Sequence, residues 1–184
     1  RGPIVLAGPE GVTVRDVDGG EQRLTPERLA DLAGGAAELA PCPVPTLVAL
    51  GNDDAGRTVL VDLEAVGLLT VELDHPVPTC VAIGLELACS PWAEGVTVVA
   101  AGRVSRALSA DLENVVHHPD AETAAAEVMA RITAQRTALE RMDRTLADLR
   151  ADPDTRDEWA PQVHLFGSDL STRTAVRLRD IALG

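Results

Sequence analysis

The stretch from Val59 to Ala101, VLVDLEAVGLLTVELDHPVPTCVAIGLELACSPWAEGVTVVAA, decides how this chain is read. It holds two apolar runs, Val59–Leu63 and Gly67–Leu73, then a helical run, Thr79–Ala88, and a third apolar run, Val96–Ala101. Strand, helix and strand in succession need a crossover connection, so the stretch predicts the heart of a parallel α/β sheet. Val66 to Val71 is apolar almost continuously, as in a central strand covered on both faces. The helical run is apolar nearly all round apart from Glu86 and is expected to lie between layers. A unit of this kind often carries a phosphate loop where its second strand ends. Here that place reads Glu72-Leu73-Asp74-His75-Pro76-Val77-Pro78. A phosphate loop needs G-x-x-x-x-G-K-[ST], because backbone N–H groups wrap the anion and the lysine neutralises it. Pro76 and Pro78 have no N–H, and Glu72 and Asp74 repel a triphosphate, so no nucleotide binding is expected.

The composition excludes further classes. The 184 residues, 46% of them hydrophobic, suit one domain or one domain with a small appendage. Sixteen basic against 29 acidic residues give a net charge of −13, and every basic residue is Arg. Without Lys there is no Schiff base and no lysine general base. The acidic balance also argues against nucleic acid as a partner, since phosphate binding depends on clustered positive charge. Cys42, Cys80 and Cys89 form no CxxC and have no histidine at zinc-finger spacing, so buried, reduced thiols are expected, and with them a reducing compartment. No apolar run approaches the ~20 residues that span a bilayer. A chain starting at Arg1, without Met, reads as a piece of a longer protein.

Outward from the central stretch, Pro3–Gly8 and Val12–Val17 predict a hairpin through Pro9-Glu10-Gly11. Thr25-Pro26-Glu27 supplies an N-cap, a first-turn proline and an early acid for a helix through Leu29, Leu32, Ala36 and Leu39. Three prolines in Pro41–Pro45 predict a linker. Thr46–Leu50 and Thr58–Leu63 flank a turn-rich loop whose Asp53 and Asp54 lack the ligand order of a calcium site and read as solvated turn acids. Trp92 is expected to pack at the junction after Ser90-Pro91 ends the helix. From Asp120 to Arg150 an apolar stripe predicts one long helix or two with a slight break, with Glu127–Arg131 and Glu140–Arg144 as i,i+4 pairs. Pro161–Phe166 is a last strand, and Ser171 caps a closing helix through Ala175, Val176, Leu178 and Ile181.

In this order the chain resembles the P-loop motor domains of the FtsK/SpoIIIE and type VII secretion family, in degenerate form. "GLLTVELD" stands at the strand before the phosphate loop, "CVAIGLELACS" at the helix after it, "VTVVAAG" at the next strand. "ENVVHHPDAETAAAEVMARITAQRTALERM" resembles the stretch where a short strand leads into a long helix. In wording, "GRTVLVDLEAVGLLTV" and "LELACSPWAEGVTVV" resemble the middle region of large actinobacterial membrane-anchored proteins that combine LysM-type and bacterial transcriptional activator (BTAD-type) regions. Neither region is present here, so that resemblance implies a source and no residue roles.

The chemistry-bearing residues form no recognised constellation. After Val163–Phe166 a hydrolytic motor places adjacent acids for Mg²⁺ and water, whereas this chain has Gly167-Ser168 before Asp169. Neither Ser105 nor Ser168 sits in a G-x-S-x-G elbow, and Cys80 and Cys89 in an apolar helix read as inert thiols. His117-His118-Pro119-Asp120 is the best metal candidate by composition, but adjacent histidines point apart and no further ligand pattern accompanies them. Catalytic, cofactor-binding and metal residues are therefore all expected to be none, and no cofactor is expected.

These readings add up to an α/β fold: a three-layer sandwich with a mostly parallel sheet of Val59–Leu63, Gly67–Leu73, Val96–Ala101 and Val163–Phe166, resembling a degenerate P-loop NTPase. Residues 1–40 form a hairpin-and-helix appendage and residues 46–184 the α/β domain. Leu69, Val71, Ile83, Leu85, Val98 and Val99 are its expected core. The expected function is a non-catalytic interaction or regulatory module, on the cytoplasmic side of a membrane-tethered parent, that contacts a protein partner or other domains of that parent and neither enters the membrane nor binds nucleic acid. The alternative is a small-molecule sensor using the crevice at the strand C-termini, where open α/β sheets bind ligands. A polar-lined pocket between Leu73–Pro78 and Ala101–Arg106 favours the sensor, and a crevice filled by side chains favours the module.

Overall fold

Gly51-Asn52-Asp53-Asp54-Ala55-Gly56-Arg57 reverses the chain tightly enough to pair the strands on either side of it antiparallel, and this hairpin decides where the first half goes. In the computed structural model, which describes residues 4–15, 20–28, 44–72, 74–93, 95–108, 111–142, 144–167 and 169–183, β4 (Leu47–Asn52) and β5 (Thr58–Asp62) are antiparallel partners. The Asp53 carboxylate holds the turn, accepting from the Ala55 and Arg57 N–H groups and from the Arg57 guanidinium at 2.8 Å. β5 also pairs with β1 (Ile4–Gly8), which pairs with β2 (Gly11–Arg15), which pairs with β3 (Glu21–Leu24). The result is a five-stranded antiparallel sheet of order β3-β2-β1-β5-β4.

Two compact units follow: Arg1–Leu69 with Ser90–Glu94, and Thr70–Cys89 with Gly95–Gly184. The amino-terminal hairpin is thus no appendage. It shares a sheet with β4 and β5, and the division falls at Leu69, not in the proline-rich linker. The helix expected after Thr25 lies mostly outside the described residues; Arg28 N–H does donate to Thr25 Oγ1 at 3.4 Å, as an N-cap contact requires.

Two of the four strands expected in one parallel sheet are therefore reassigned. Val59–Leu63 supplies the antiparallel β5. Of the expected strand Gly67–Leu73, residues 67–72 form none and Leu73 lies outside the described residues: Asp62 caps a one-turn helix α1 (Leu63–Val66), Gly67 ends it at φ +72°, and residues 68–72 have no regular structure, Leu68, Leu69 and Val71 only half-buried. The run passes from one unit to the next, and a connecting segment can be apolar without pairing.

The second unit is built on a three-stranded parallel sheet of order β7-β6-β8, from β6 (Thr97–Ala101), β7 (Val115–His118) and β8 (Gln162–Phe166). Strand alternation divides its faces. Val98 and Ala100 with Val163 and Leu165 face α2 (Pro76–Cys89), where a Cβ on Gly84 would lie 3.0 Å from Leu165 Cδ1 and 3.8 Å from Val98 Cγ1. The opposite face holds Ala101 and Phe166 against Ala121 and Ala124 of α4 (Ala121–Arg141), and Phe166 reaches the cluster of Val128, Met129 and Leu178 shared with α6 (Thr172–Leu183). Helices on both faces of a parallel sheet make this unit a three-layer α/β arrangement. α3 (Arg103–Ala107) follows β6 directly, its Val104 fully buried, and α5 (Leu146–Ala151) follows α4.

Several core expectations change. Ile83, Val98 and Val99 are buried, but Leu85 is 38% exposed, because α2 covers the sheet with the face carrying Cys80, Ile83, Gly84 and Leu87 and turns the other to solvent. Cys89 is exposed for the same reason, while Cys80 is buried; both are free, and Cys42 lies outside the described residues. Trp92 is 52% exposed, and the buried junction residue of the first unit is its neighbour Ala93. Neither expected i,i+4 pair forms. Arg131 donates to the Glu158 carbonyl, and Arg144, beyond the end of α4 at Arg141, pairs with Asp152 at 2.9 Å. The break between α4 and α5 is real and is closed by a capping box of Thr145 and Asp148.

Candidate functional site

Open parallel sheets offer a ligand crevice where successive connections leave toward opposite faces. In the second unit that place is the C-terminal end of β6 and β8: β6 runs into α3, beside α2, and β8 runs toward α6, beside α4. Gly102 sits there at φ +57°, with its N–H bonded to the His118 carbonyl at 2.9 Å. Asp169, arriving after β8, puts its carboxylate on the Arg103 N–H at 2.6 Å and lies 3.8 Å from the Arg103 guanidinium. A Cβ on Gly102 would stand only 2.4 Å from that carboxylate, and a Cβ on Gly167 would meet Val77 at 3.2 Å and Arg103 at 3.6 Å. Side chains thus stand close to the backbone at Gly102 and Gly167. The Arg103 N–H that a phosphate would use is already taken by the Asp169 carboxylate.

The histidine pair before α4 is split by strand alternation. His117 shares a 3.3 Å hydrogen bond with Ser105 of α3, whereas His118, on the other face, places Nδ1 2.8 Å from the Asp120 carbonyl and Nε2 3.5 Å from Glu127 Oε1. Asp120 caps α4 through the Thr123 N–H at 2.8 Å and the Thr123 hydroxyl, and these bonds hold its carboxyl below the usual range. Glu122 accepts from the Thr174 hydroxyl and from the Ser171 N–H at 2.6 Å, tying the start of α4 to that of α6; the Thr174 bond is the main cause of its lowered pKa. Asp53 is likewise held low, chiefly by Arg57, as the acid of a turn. Burial pushes the Cys80 thiol up, and its Sγ lies 3.6 Å from the Phe166 carbonyl, so it is a packing group. Ser168 lies outside the described residues. Among the described residues no three His, Cys, Asp or Glu side chains are grouped to hold a metal.

In the second unit a cavity lined by polar and apolar groups lies on the face of the sheet. Beneath α4 a space of about 340 Å³ is bounded by Thr97, Val99, Val116, His118, Ala124, Glu127, Val128, Arg131, Gln162 and His164. Its origin is visible in the side chains. Ala121 and Ala124 let α4 approach the C-terminal end of the sheet closely, while Thr97, Gln162 and His164 line the face nearer the start of the strands. His164 stacks on Phe166, with ring centroids 6.4 Å apart. Both its ring nitrogens are buried and neither finds a hydrogen-bond partner among the described residues. That burial, helped by the nearby Arg131 charge and opposed by Glu127, pushes the ring down to about 4, so it is neutral at pH 7. Arg131 donates to the Glu158 carbonyl at 3.1 Å.

His164 and Arg131 were not among the sequence candidates. The signal for His164 was the alternation in Gln162-Val163-His164-Leu165-Phe166, which sets three polar or aromatic residues on one face and two aliphatic ones on the other. A second cavity, of about 330 Å³ in the first unit, includes Arg23 and Arg57, each already ion-paired, with Glu10 and Asp53. The chain matches no protein-family model, no curated protein and no solved structure with which it was compared.

Proposed function

We propose that the chain is a non-catalytic α/β interaction or regulatory module of a larger, membrane-tethered actinobacterial protein. In this reading the second unit keeps the layered frame of a degenerate P-loop motor domain without its phosphate apparatus. The observation that carries it is the occupied amide: Asp169 takes the N–H at the start of α3, and Val77 lies against Gly167, where a nucleotide would need open backbone and positive charge. Function lives in sites grafted on a fold, and a fold whose usual site is closed is free to serve through its surfaces. The surfaces proposed for contact are the exposed side of α4 and the hairpin β1–β2 with its neighbour β3. Among the described residues no helix is long and apolar enough to cross a membrane.

The test is a pair of titrations on the purified chain. Calorimetry with Mg-ATP is expected to give no saturable heat, and the separately expressed remainder of the parent is expected to form a complex at micromolar concentration with crosslinks on α4 or β1–β3. Micromolar Mg-ATP binding, or no complex with any part of the parent, sinks the proposal.

A further inference from the structure

We propose that the cavity beneath α4 is a binding site for a small organic monocarboxylate, its carboxylate at Arg131 and its apolar body against Val99, Val116 and Val128 beside the ring of His164. Its volume of about 340 Å³ lies at the low end of ligand sites, which suits a small metabolite better than a nucleotide or a peptide. Val99, Val116, Val128 and Ala124 supply an apolar side to the lining, and Thr97, His118, Glu127, Arg131, Gln162 and His164 supply a polar one, so the space suits a ligand with an apolar body and a polar end.

The charges select the ligand. Glu127 is engaged with His118 at 3.5 Å, whereas the Arg131 guanidinium reaches a neutral carbonyl and pairs with no carboxylate among the described residues. Glu127 shares the lining but makes no ion pair with Arg131, so the guanidinium's planar fork is open to a ligand carboxylate in two parallel hydrogen bonds. His164 sharpens the argument. Buried polar atoms without partners are rare in folded proteins and ask for an explanation, and this residue has two, in the wall of the same cavity. A second polar group on the ligand would meet this unused capacity.

The site differs from the crevice in position and in the residues used, and it stands whether or not the chain also contacts a protein. The experiment uses the full chain at pH 7 with benzoate and 3-methylbutanoate as probes, the corresponding amides as uncharged controls, and inorganic phosphate as an anion without an apolar body. Binding is read from the methyl resonances of Val99, Val116 and Val128 and the imidazole resonances of His164. Saturable shifts with at least one acid are expected, at least tenfold tighter than its amide or phosphate, with Tm raised by several degrees at saturation. Arg131→Gln should weaken the acid at least tenfold and leave the amide unchanged, and Arg131→Lys should fall between, which separates lost recognition from lost folding. Equal affinity for acid and amide, equal binding by wild type and Arg131→Gln, or no shift at His164 with either acid while water alone contacts its ring, would each overturn the assignment.

Discussion

His164 should make the second unit sensitive to mild acid in a way that one substitution removes. Its ring titrates near 6.5 when unfolded and near about 4 when folded, because burial disfavours the charged form. Between those values the unfolded chain binds more protons, so its contribution to stability is whole above pH 6.5 and is lost as pH falls toward about 4. The full difference is worth about 3 kcal/mol, and about 2 kcal/mol of it is lost between pH 7.5 and pH 5. His164→Leu keeps a similar volume and does not titrate. Urea unfolding followed by Trp159, in a Trp92→Phe background so that the second unit alone reports, should show wild type losing about 2 kcal/mol more than the variant between the two pH values. At pH 7.5 the variant should be at least as stable as wild type, since replacing unpartnered polar atoms by apolar ones is neutral or favourable. Parallel pH dependence in the two proteins, or a His164 ring that titrates near 6.5, would refute the reasoning.

Other substitutions probe the frame. Leu87→Ala should cost about 2–5 kcal/mol, since Leu87 is 1% exposed, whereas Leu85→Ala two residues away should cost under about 1 kcal/mol; equal losses in denaturant titrations would mean that the face of α2 is misassigned. Gly102→Ala, at φ +57° and 2.4 Å from the Asp169 carboxylate, should cost about 2 kcal/mol, and in the Asp169→Ala background its added cost should shrink, measurable as a double-mutant cycle. Thr145→Ala removes one half of a capping box and should cost about 1 kcal/mol by chemical denaturation, with no effect on the first unit.

Local signals were the legible part of the sequence. The hairpin through Pro9-Glu10-Gly11, the turn acids at Asp53, the Asp120 and Ser171 caps and the end of α2 at Ser90-Pro91 all depend on residues within a few positions of each other. Pairing partners were not legible. β5 is apolar enough for either kind of sheet, and only its partners β1 and β4 make it antiparallel. β3 was missed because Glu-Gln-Arg-Leu has neither β-branched residues nor an apolar face; it is an edge strand, where charge protects against further pairing. Gly67–Leu73 misled for the opposite reason. Its apolar residues are real, but Gly67 turns the chain out of α1 and Glu72, Asp74 and Pro76 follow. Of the cavity, the sequence showed the alternation that puts His164 beside Phe166; that α4 stands over that face required the fold.

The two faces of the three-stranded sheet differ in what their helices meet. On the α2 face, Val98, Ala100, Val163 and Leu165 meet Ile83, Gly84 and Leu87, aliphatic against aliphatic, and the gap is filled. On the α4 face the strands begin with Thr97 and Gln162 and end with Ala101 and Phe166, so polarity falls along the strand direction. α4 follows that gradient: alanines at 121, 124 and 125 pack closely where the sheet is apolar, and Glu127 and Arg131 stand one and two turns on, where it is polar. A helix that carries both small and long charged residues cannot touch the sheet evenly along its length. At the polar end α4 carries no small residue against Thr97, Gln162 and His164, and the space left there is lined by Glu127 and Arg131 with the polar groups of the sheet. The space follows from the change from polar to apolar along β6 and β8, and reversing it at a single strand, by Gln162→Leu with His164→Leu, should draw α4 toward the sheet and close the space.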